Sequence, residues 1–307
     1  MKTVVINEFA TVPVLGDAPA PTPGPGQVLV RVQASSVNWL DAGIAQGMFQ
    51  DMVPHELPIT LGRDFAGVVE AVGPGVTGVG TGDRVFGEVP MGAPVRDGAW
   101  AELIVIGEDI LTRTPDGTDT ATAGAVGLAA TTAVMTVDAL GLRPGQTVVV
   151  IGATGGVGSI VVQLARAAGA TVLAPGRPED EEYLRGLGVS EVLPRDGDIA
   201  AAVSGSYPEG VDALVDAVTS YRPTPYAEVV KDGGRIASPT GAAGEGPGRT
   251  DIMHAPTADI LQRVARHLAD GTISVTIHQT YDLAQVAEAL QALTAGHIRG
   301  KIGLRVA

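Results

Sequence analysis

The chain has no cysteine in its 307 residues. Disulfide bonds, thiolate nucleophiles and cysteine-ligated zinc are therefore excluded. Cationic side chains are also scarce: 20 Lys and Arg stand against 34 Asp and Glu, for a formal net charge of −14. No Lys/Arg-rich run occurs, so neither nucleic acid nor an anionic membrane surface suits the chain as partner, although a local pocket can still take a small anion. No uninterrupted apolar run has the length of a bilayer span, and the opening MKTVVINEF lacks a signal-peptide core. These absences predict a soluble, cytoplasmic protein. The histidines His55, His254, His267, His278 and His297 are scattered, without the spaced partner set a metal requires, so no metal site is expected and each reads as a surface or cap residue.

What is present centres on Gln146 to Ala168, QTVVVIGATGGVGSIVVQLARAA. The β-branched run Thr147 to Ile151 suits a strand buried on both faces of a parallel sheet. A glycine-rich turn follows, then a helix with Ile160, Val161, Leu164 and Ala168 at three- and four-residue spacing. Strand, glycine turn and helix in this order form the context of a dinucleotide fingerprint. Its cofactor-binding stretch would be Ala153, Thr154, Gly155, Gly156, Val157 and Gly158. Gly155 lets the backbone approach a pyrophosphate, Gly158 lets helix and strand pack closely, and the helix N-terminus offers N–H groups to phosphate. Ala153 occupies the first glycine position of G-x-G-x-x-G, which is a departure from the pattern.

Residues 1–120 read as β-rich, with short strands such as Gln27 to Val32 and Ala66 to Val72 between Gly/Pro turns, the texture of a small barrel or sandwich. From about Thr120 the chain turns alanine-rich, and Thr122 to Leu140 reads as one or two helices. Strands are expected at Thr147 to Ile151, Thr171 to Ala174, Glu191 to Leu193, Ala213 to Asp216 and Arg235 to Ser238. Helical patterns lie between them, which predicts a doubly wound parallel sheet over 121–270. Residues 271–307 return to β character around a helix at Leu283 to Thr294. The parallel-sheet domain would then be an insertion in the β-rich one, with the active site in the cleft between them.

Several stretches resemble one family in the family's own order. They are SSVNWLDAGIAQGMF (Ser35 to Phe49), LGRDFAGVVEAVGPGV (Leu61 to Val76), GDRVFG (Gly82 to Gly87), GAWAELIVI (Gly98 to Ile106), GLAATTAV (Gly127 to Val134), RPGQTVVVIGATGGVG (Arg143 to Gly158), KDGGRIAS (Lys231 to Ser238) and HIRGKIGLRV (His297 to Val306). The chain resembles the zinc-free medium-chain dehydrogenase/reductases of the NADPH:quinone oxidoreductase branch, which includes zeta-crystallin. The resemblance implies a GroES-like barrel carrying the substrate site, an inserted Rossmann domain that binds nucleotide, and a homodimer. Zinc alcohol dehydrogenases of the same superfamily have Cys where Asn38 stands and Gly-His-Glu where Gly62-Arg63-Asp64 stand, so the catalytic metal has lost its ligands here. Their four-cysteine structural zinc loop is absent too.

The cofactor positions divide by origin. The second strand of an NAD-specific site ends in an acid for the ribose 2′-OH, but TVLA ends here in Pro175-Gly176-Arg177. Arginine suits a 2′-phosphate because it is always charged and forked, so NADPH is expected. The competing reading pairs Arg177 with the acidic run Glu179 to Glu182. By resemblance, Thr132 lies near the phosphates or nicotinamide, unless it bonds back to its own helix. Val218 and Thr219 follow the fourth strand, and Ser238, Pro239 and Thr240 the fifth, at the sheet edge where such folds bind ligands. Lys301 resembles a residue near the cofactor, or else is a plain surface lysine.

Without metal, thiol or acid–base dyad, the redox chemistry falls to the cofactor. Asn38 is the catalytic candidate of the first domain, since its amide both donates and accepts; otherwise it stabilises a turn. Asp41 either orients the site or caps a helix running from Ala42. Trp39, Met48 and Phe49 either line a slot for an apolar acceptor or form core, in a chain with 4% aromatics. Three functions follow: a quinone or conjugated-carbonyl reductase, an enoyl or ene-reductase of lipid or polyketide-type metabolism, and a non-catalytic NADPH-binding structural protein. Related enoyl reductases often carry Tyr where Phe49 stands; Phe cannot act as general acid, which favours the first.

Overall fold

The computed structural model describes Met1 to Val306, and its backbone divides into two compact units. The first comprises Met1–Leu128, Ala255–Asp270 and Val275–Ala307; the second comprises Ala129–His254 and Gly271–Ser274.

The first unit opens with β1 (Lys2–Ile6), β2 (Val14–Asp17), β3 (Gln27–Val37), α1 (Trp39–Ala45), β4 (Ile59–Thr60), β5 (Asp64–Val72), β6 (Arg84–Glu88), β7 (Leu103–Gly107) and β8 (Leu111–Arg113). The 21-residue helix α2 (Thr120–Leu140) follows, and the division between units falls within it. It forms one helix because no proline interrupts its alanine-rich run. By length and apolar composition α2 matches a bilayer span, contrary to the expectation that no stretch would; most of it is buried inside the protein, as in a core helix.

The second unit is built from β9 (Thr147–Ile151), α3 (Gly156–Ala167), β10 (Thr171–Gly176), α4 (Glu181–Leu187), β11 (Glu191–Pro194), α5 (Ile199–Ser206), β12 (Val211–Asp216), β13 (Val230–Ser238) and β14 (Arg249–Asp251). All five residues of β9 are buried, as a strand covered on both faces requires. The six strands pair in parallel in the order β11-β10-β9-β12-β13-β14. That is the 3-2-1-4-5-6 order of the doubly wound dinucleotide fold, with its switch point beside β9. Val149, Leu173, Leu214 and Ile236 fill one side of it. β14 was not among the expected strands; its Arg-Thr-Asp has no apolar run to announce one.

The chain then returns to the first unit with α6 (Ala258–Ala269), β15 (Ile277–Asp282), α7 (Val286–Ala295) and β16 (Lys301–Arg305). Assigning 121–270 to the nucleotide domain therefore misplaces α6, which buries Leu261 and Val264 and packs on β8 in the first unit. β16 lies between parallel β15 and antiparallel β3 in a seven-stranded sheet that continues through β5, β6 and β8, with β7 on the other side of β3. A small sheet β2-β1-β4 completes the unit. Two apolar cores support it, one around Trp100 and Ile44 and one around Phe65 and Val30.

Candidate functional site

In the first unit the centre is a buried carboxylate, Asp64, at the start of β5 and 0% exposed. Its Oδ1 accepts the Leu128 N–H at 2.6 Å, and its Oδ2 accepts from Asn38 Nδ2 at 2.9 Å and Lys301 Nζ at 3.2 Å. The Ser36 hydroxyl also donates to Oδ2, and Lys301 Nζ donates to Asn38 Oδ1. Burial pushes the Asp64 carboxyl up, but the Lys301 ammonium, the Leu128 N–H and the Ser36 and Asn38 donors outweigh it and hold the carboxyl below its ordinary range. Lys301 is 5% exposed, so the surface-lysine alternative is wrong; it sits in the first unit against Asn38 and Asp64.

Asp41 lies beside this cluster, also 0% exposed. Its Oδ2 accepts the Asn38 N–H at 2.8 Å, which is one half of a capping box on α1. α1 starts at Trp39, three residues before the expected start at Ala42, because Asn38 is its extended N-cap. Burial, and after it the like charge of Asp64, pushes the Asp41 carboxyl up to about 6 despite the opposing pull of Arg63. Arg63 Nε stands 3.9 Å from Asp41 Oδ1, and the guanidinium donates to the carbonyls of Asp97 at 2.9 Å and Pro90 at 3.2 Å. Trp39 and Met48 are 63% and 60% exposed, so neither is core, whereas Phe49 is partly buried against the cluster around Ile44.

The glycine-rich turn in the second unit fits the pyrophosphate of a dinucleotide. Gly152 takes the tight turn with φ +86°, which frees Ala153 to be a buried alanine. A Cβ on Gly158 would collide with the Gly152 carbonyl, so α3 crosses β9 as closely as a glycine permits. A Cβ on Gly155 would meet only the Gly152 carbonyl oxygen, at 3.5 Å, leaving the outer side of the turn open. Gly155 is the N-cap of the 12-residue α3, whose first N–H groups, on Gly156, Val157 and Gly158, have no acceptor within the helix. Thr154 completes the turn. Arg177 follows β10 and is 39% exposed in its side chain, with Nη1 3.9 Å from Glu179 Oε1, the outer limit of an ion pair.

A residue missed from the sequence ties the remaining loops. Asp216, the last residue of β12 and fully buried, accepts the N–H groups of Val218 and Thr219 at 2.9 Å and the Thr224 hydroxyl at 2.6 Å. Its carbonyl accepts Ser238 Oγ at 2.8 Å, and Thr240 Oγ1 donates to the Thr219 carbonyl at 2.5 Å. Val218–Thr219 and Ser238–Pro239–Thr240 thus form one braced rim at the C-terminal sheet edge. An acid ending a strand and followed by Ala-Val-Thr was the available signal. Thr132 meets a second unanticipated partner, His254 Nδ1, at 3.0 Å.

Comparison with known proteins agrees with both units. A model of the alcohol dehydrogenase GroES-like domain matches residues 24–116, and a model of zinc-binding dehydrogenases matches residues 187–304. The quinone oxidoreductase of Coxiella burnetii superposes with TM-score 0.89 at 25% identity, covering 100% of this chain and 99% of that one. An alcohol dehydrogenase superfamily protein from Novosphingobium aromaticivorans gives 0.90 at 28%, covering both chains fully at 100%. A mycocerosic acid synthase-like polyketide synthase of Mycobacterium tuberculosis is 32% identical over 92% of this chain, which spans 14% of that protein's length. A GroES-like domain joined to a Rossmann-type parallel sheet defines an oxidoreductase that works with a nicotinamide cofactor. The chain belongs to the medium-chain dehydrogenase/reductase family, whose members include quinone oxidoreductases. The zinc of some relatives does not fit the side chains here. Two cations, Lys301 and Arg63, occupy the cluster where ligands would stand, and no set of three or more His, Cys, Asp or Glu is arranged for a metal among the described residues.

Proposed function

We propose that this chain is an NADPH-dependent, zinc-independent reductase of quinones or similar conjugated carbonyl compounds, acting as a homodimer on a small apolar substrate. The observation that carries the reading is the Lys301 ammonium bonded to Asn38 and Asp64, at the positions that the family resemblance assigns to zinc ligands. A protonated amine there repels a divalent cation, so electrophilic help by metal is absent and the acceptor must already be activated by conjugation. When bound across the Gly152–Gly158 turn, reduced nicotinamide supplies the hydride. The protein holds, orients and dries the reactants. Asn38 Oδ1 is occupied by Lys301 and one N–H of its amide by Asp64; the second N–H is the donor it has for a ribose hydroxyl or an acceptor carbonyl. Exposed Trp39 and Met48 line the acceptor. Arg177, with no acid at the end of β10, selects the 2′-phosphate.

The polyketide synthase relative favours a second reading, an enoyl reductase acting on a thioester-bound alkene. Steady-state assays at matched NADPH separate the two: faster turnover of 1,4-benzoquinone supports the first, and faster turnover of a trans-2-enoyl thioester replaces it with the second. NADPH binding without turnover of either would leave a structural nucleotide-binding role.

A further inference from the structure

The parallel sheet of the second unit sends its six chain exits to one edge, among them those after Ile151, Asp216, Ser238 and Asp251. The second strand of such a sheet meets the adenosine ribose, which here is β10, on the β11 side of β9. The side of β12, β13 and β14 would therefore hold the nicotinamide half. His254 stands three residues beyond the end of β14, on this half and at this edge. Its Nδ1 lies 3.0 Å from Thr132 Oγ1, a contact between residues 122 apart in sequence. Thr132 is 7% exposed and held in the long helix α2. His254 is half-buried and follows Met253, which is 79% exposed. A fixed inner hydroxyl thus hydrogen-bonds an imidazole closer to solvent.

We infer that Thr132 and His254 are the proton-delivery pair of the reduction. The inference deepens the reductase reading and rests on it. Hydride transfer brings two electrons and leaves an oxyanion on the acceptor, which must gain a proton. The Thr132 Oγ–H bond breaks and its proton goes to that oxygen. Thr132 Oγ then takes the Nδ1 proton of protonated His254, leaving a neutral ring that water reprotonates. The sum is acceptor plus NADPH plus H⁺ giving reduced acceptor plus NADP⁺, with no further co-reactant. In the first unit, Asp64 is engaged by Lys301 and one oxygen of Asp41 by the cap of α1. A histidine relay also supplies the acid that Phe49 cannot.

The test uses the whole chain with NADPH and 1,4-benzoquinone. His254→Gln lowers kcat by about 100-fold with unchanged NADPH affinity by fluorescence, Thr132→Val lowers kcat by a similar factor, Thr132→Ser retains turnover, and added imidazole restores His254→Gln but not Thr132→Val. Independently of turnover, the His254 Cε1–H resonance, identified by its absence in His254→Gln, moves on adding NADP⁺ and stays in place with 2′,5′-ADP, which lacks the nicotinamide half. Unchanged kcat in either variant, or equal responses to the two ligands, overturns the relay alone. A wild-type protein that binds NADPH and reduces no acceptor overturns the reductase reading and the relay with it.

Discussion

Replacing Asp41 with Asn isolates what a buried, ionised carboxylate does to this fold. Burial raises the Asp41 carboxyl from 3.8 to about 6 even with Arg63 beside it. Below pH 4 the group is protonated in both the folded and the unfolded chain. Between about pH 4 and pH 6 the folded chain keeps a proton that the unfolded chain releases, so stability falls as pH rises through that window. Above pH 6 the loss is complete, and a separation of about two pH units corresponds to about 3 kcal/mol. Asn approximates the protonated acid and can still accept the Asn38 N–H. Arg63 would lose its counter-charge, yet carbonyls of Asp97, Pro90, Val89 and Thr60 remain around the guanidinium. Asp41→Asn is therefore more stable than wild type at pH 7 by up to about 3 kcal/mol, and the advantage disappears by pH 4. Urea unfolding at several pH values measures it, followed through Trp100, which is fully buried in the first unit and donates from Nε1 to the Ser36 carbonyl at 3.1 Å. A difference that stays constant from pH 4 to 7, or a variant less stable at pH 7, would refute the reasoning. The second outcome would mean that the Arg63 charge outweighs desolvation.

Lys301→Met leaves Asp64 charged, buried and without its cation, and should cost about 3–5 kcal/mol in urea unfolding; Asp64→Asn in the same chain should recover most of it, and a strictly additive double variant would show that the two groups are not coupled. Arg177→Ala should raise KM for NADPH at least about tenfold with little change for NADH, since a charge-assisted bond to phosphate is worth about 1.5–3 kcal/mol; equal changes for both cofactors would show that Arg177 does not read the 2′-phosphate.

Legibility from sequence tracked how local each cause was. Thr147–Ile151 matches β9 to the residue because five consecutive β-branched positions leave little choice, and Gly158 was readable because its neighbours in space, Gly152 and Ala153, are also neighbours in sequence. β14 escaped because three polar residues on a sheet edge carry no hydrophobic period. The helix α6 went unread in the sequence, and even its amphipathic pattern does not say which unit its apolar stripe faces. Asp64 was visible only as a departure from a family motif. That it meets Lys301 depends on closure across 237 residues, which no pattern reports. The Thr132–His254 contact was hidden for the same reason, and a scattered histidine gives no sign of what it touches.

The pairing of β16 with β3 has a consequence for the order in which the chain matures on the ribosome. The second unit, continuous from Ala129 to His254 but for a four-residue return, can assemble while later residues are still being made. The first unit cannot finish then: its Asp64 stays without its ammonium, and the Ala34–Val37 end of β3 lacks a neighbour on one flank, until Lys301–Arg305 emerges. Trimming those last strand residues should therefore cripple a domain whose other strands were synthesised long before, and would do so by stalling its completion rather than by disturbing the nucleotide fold.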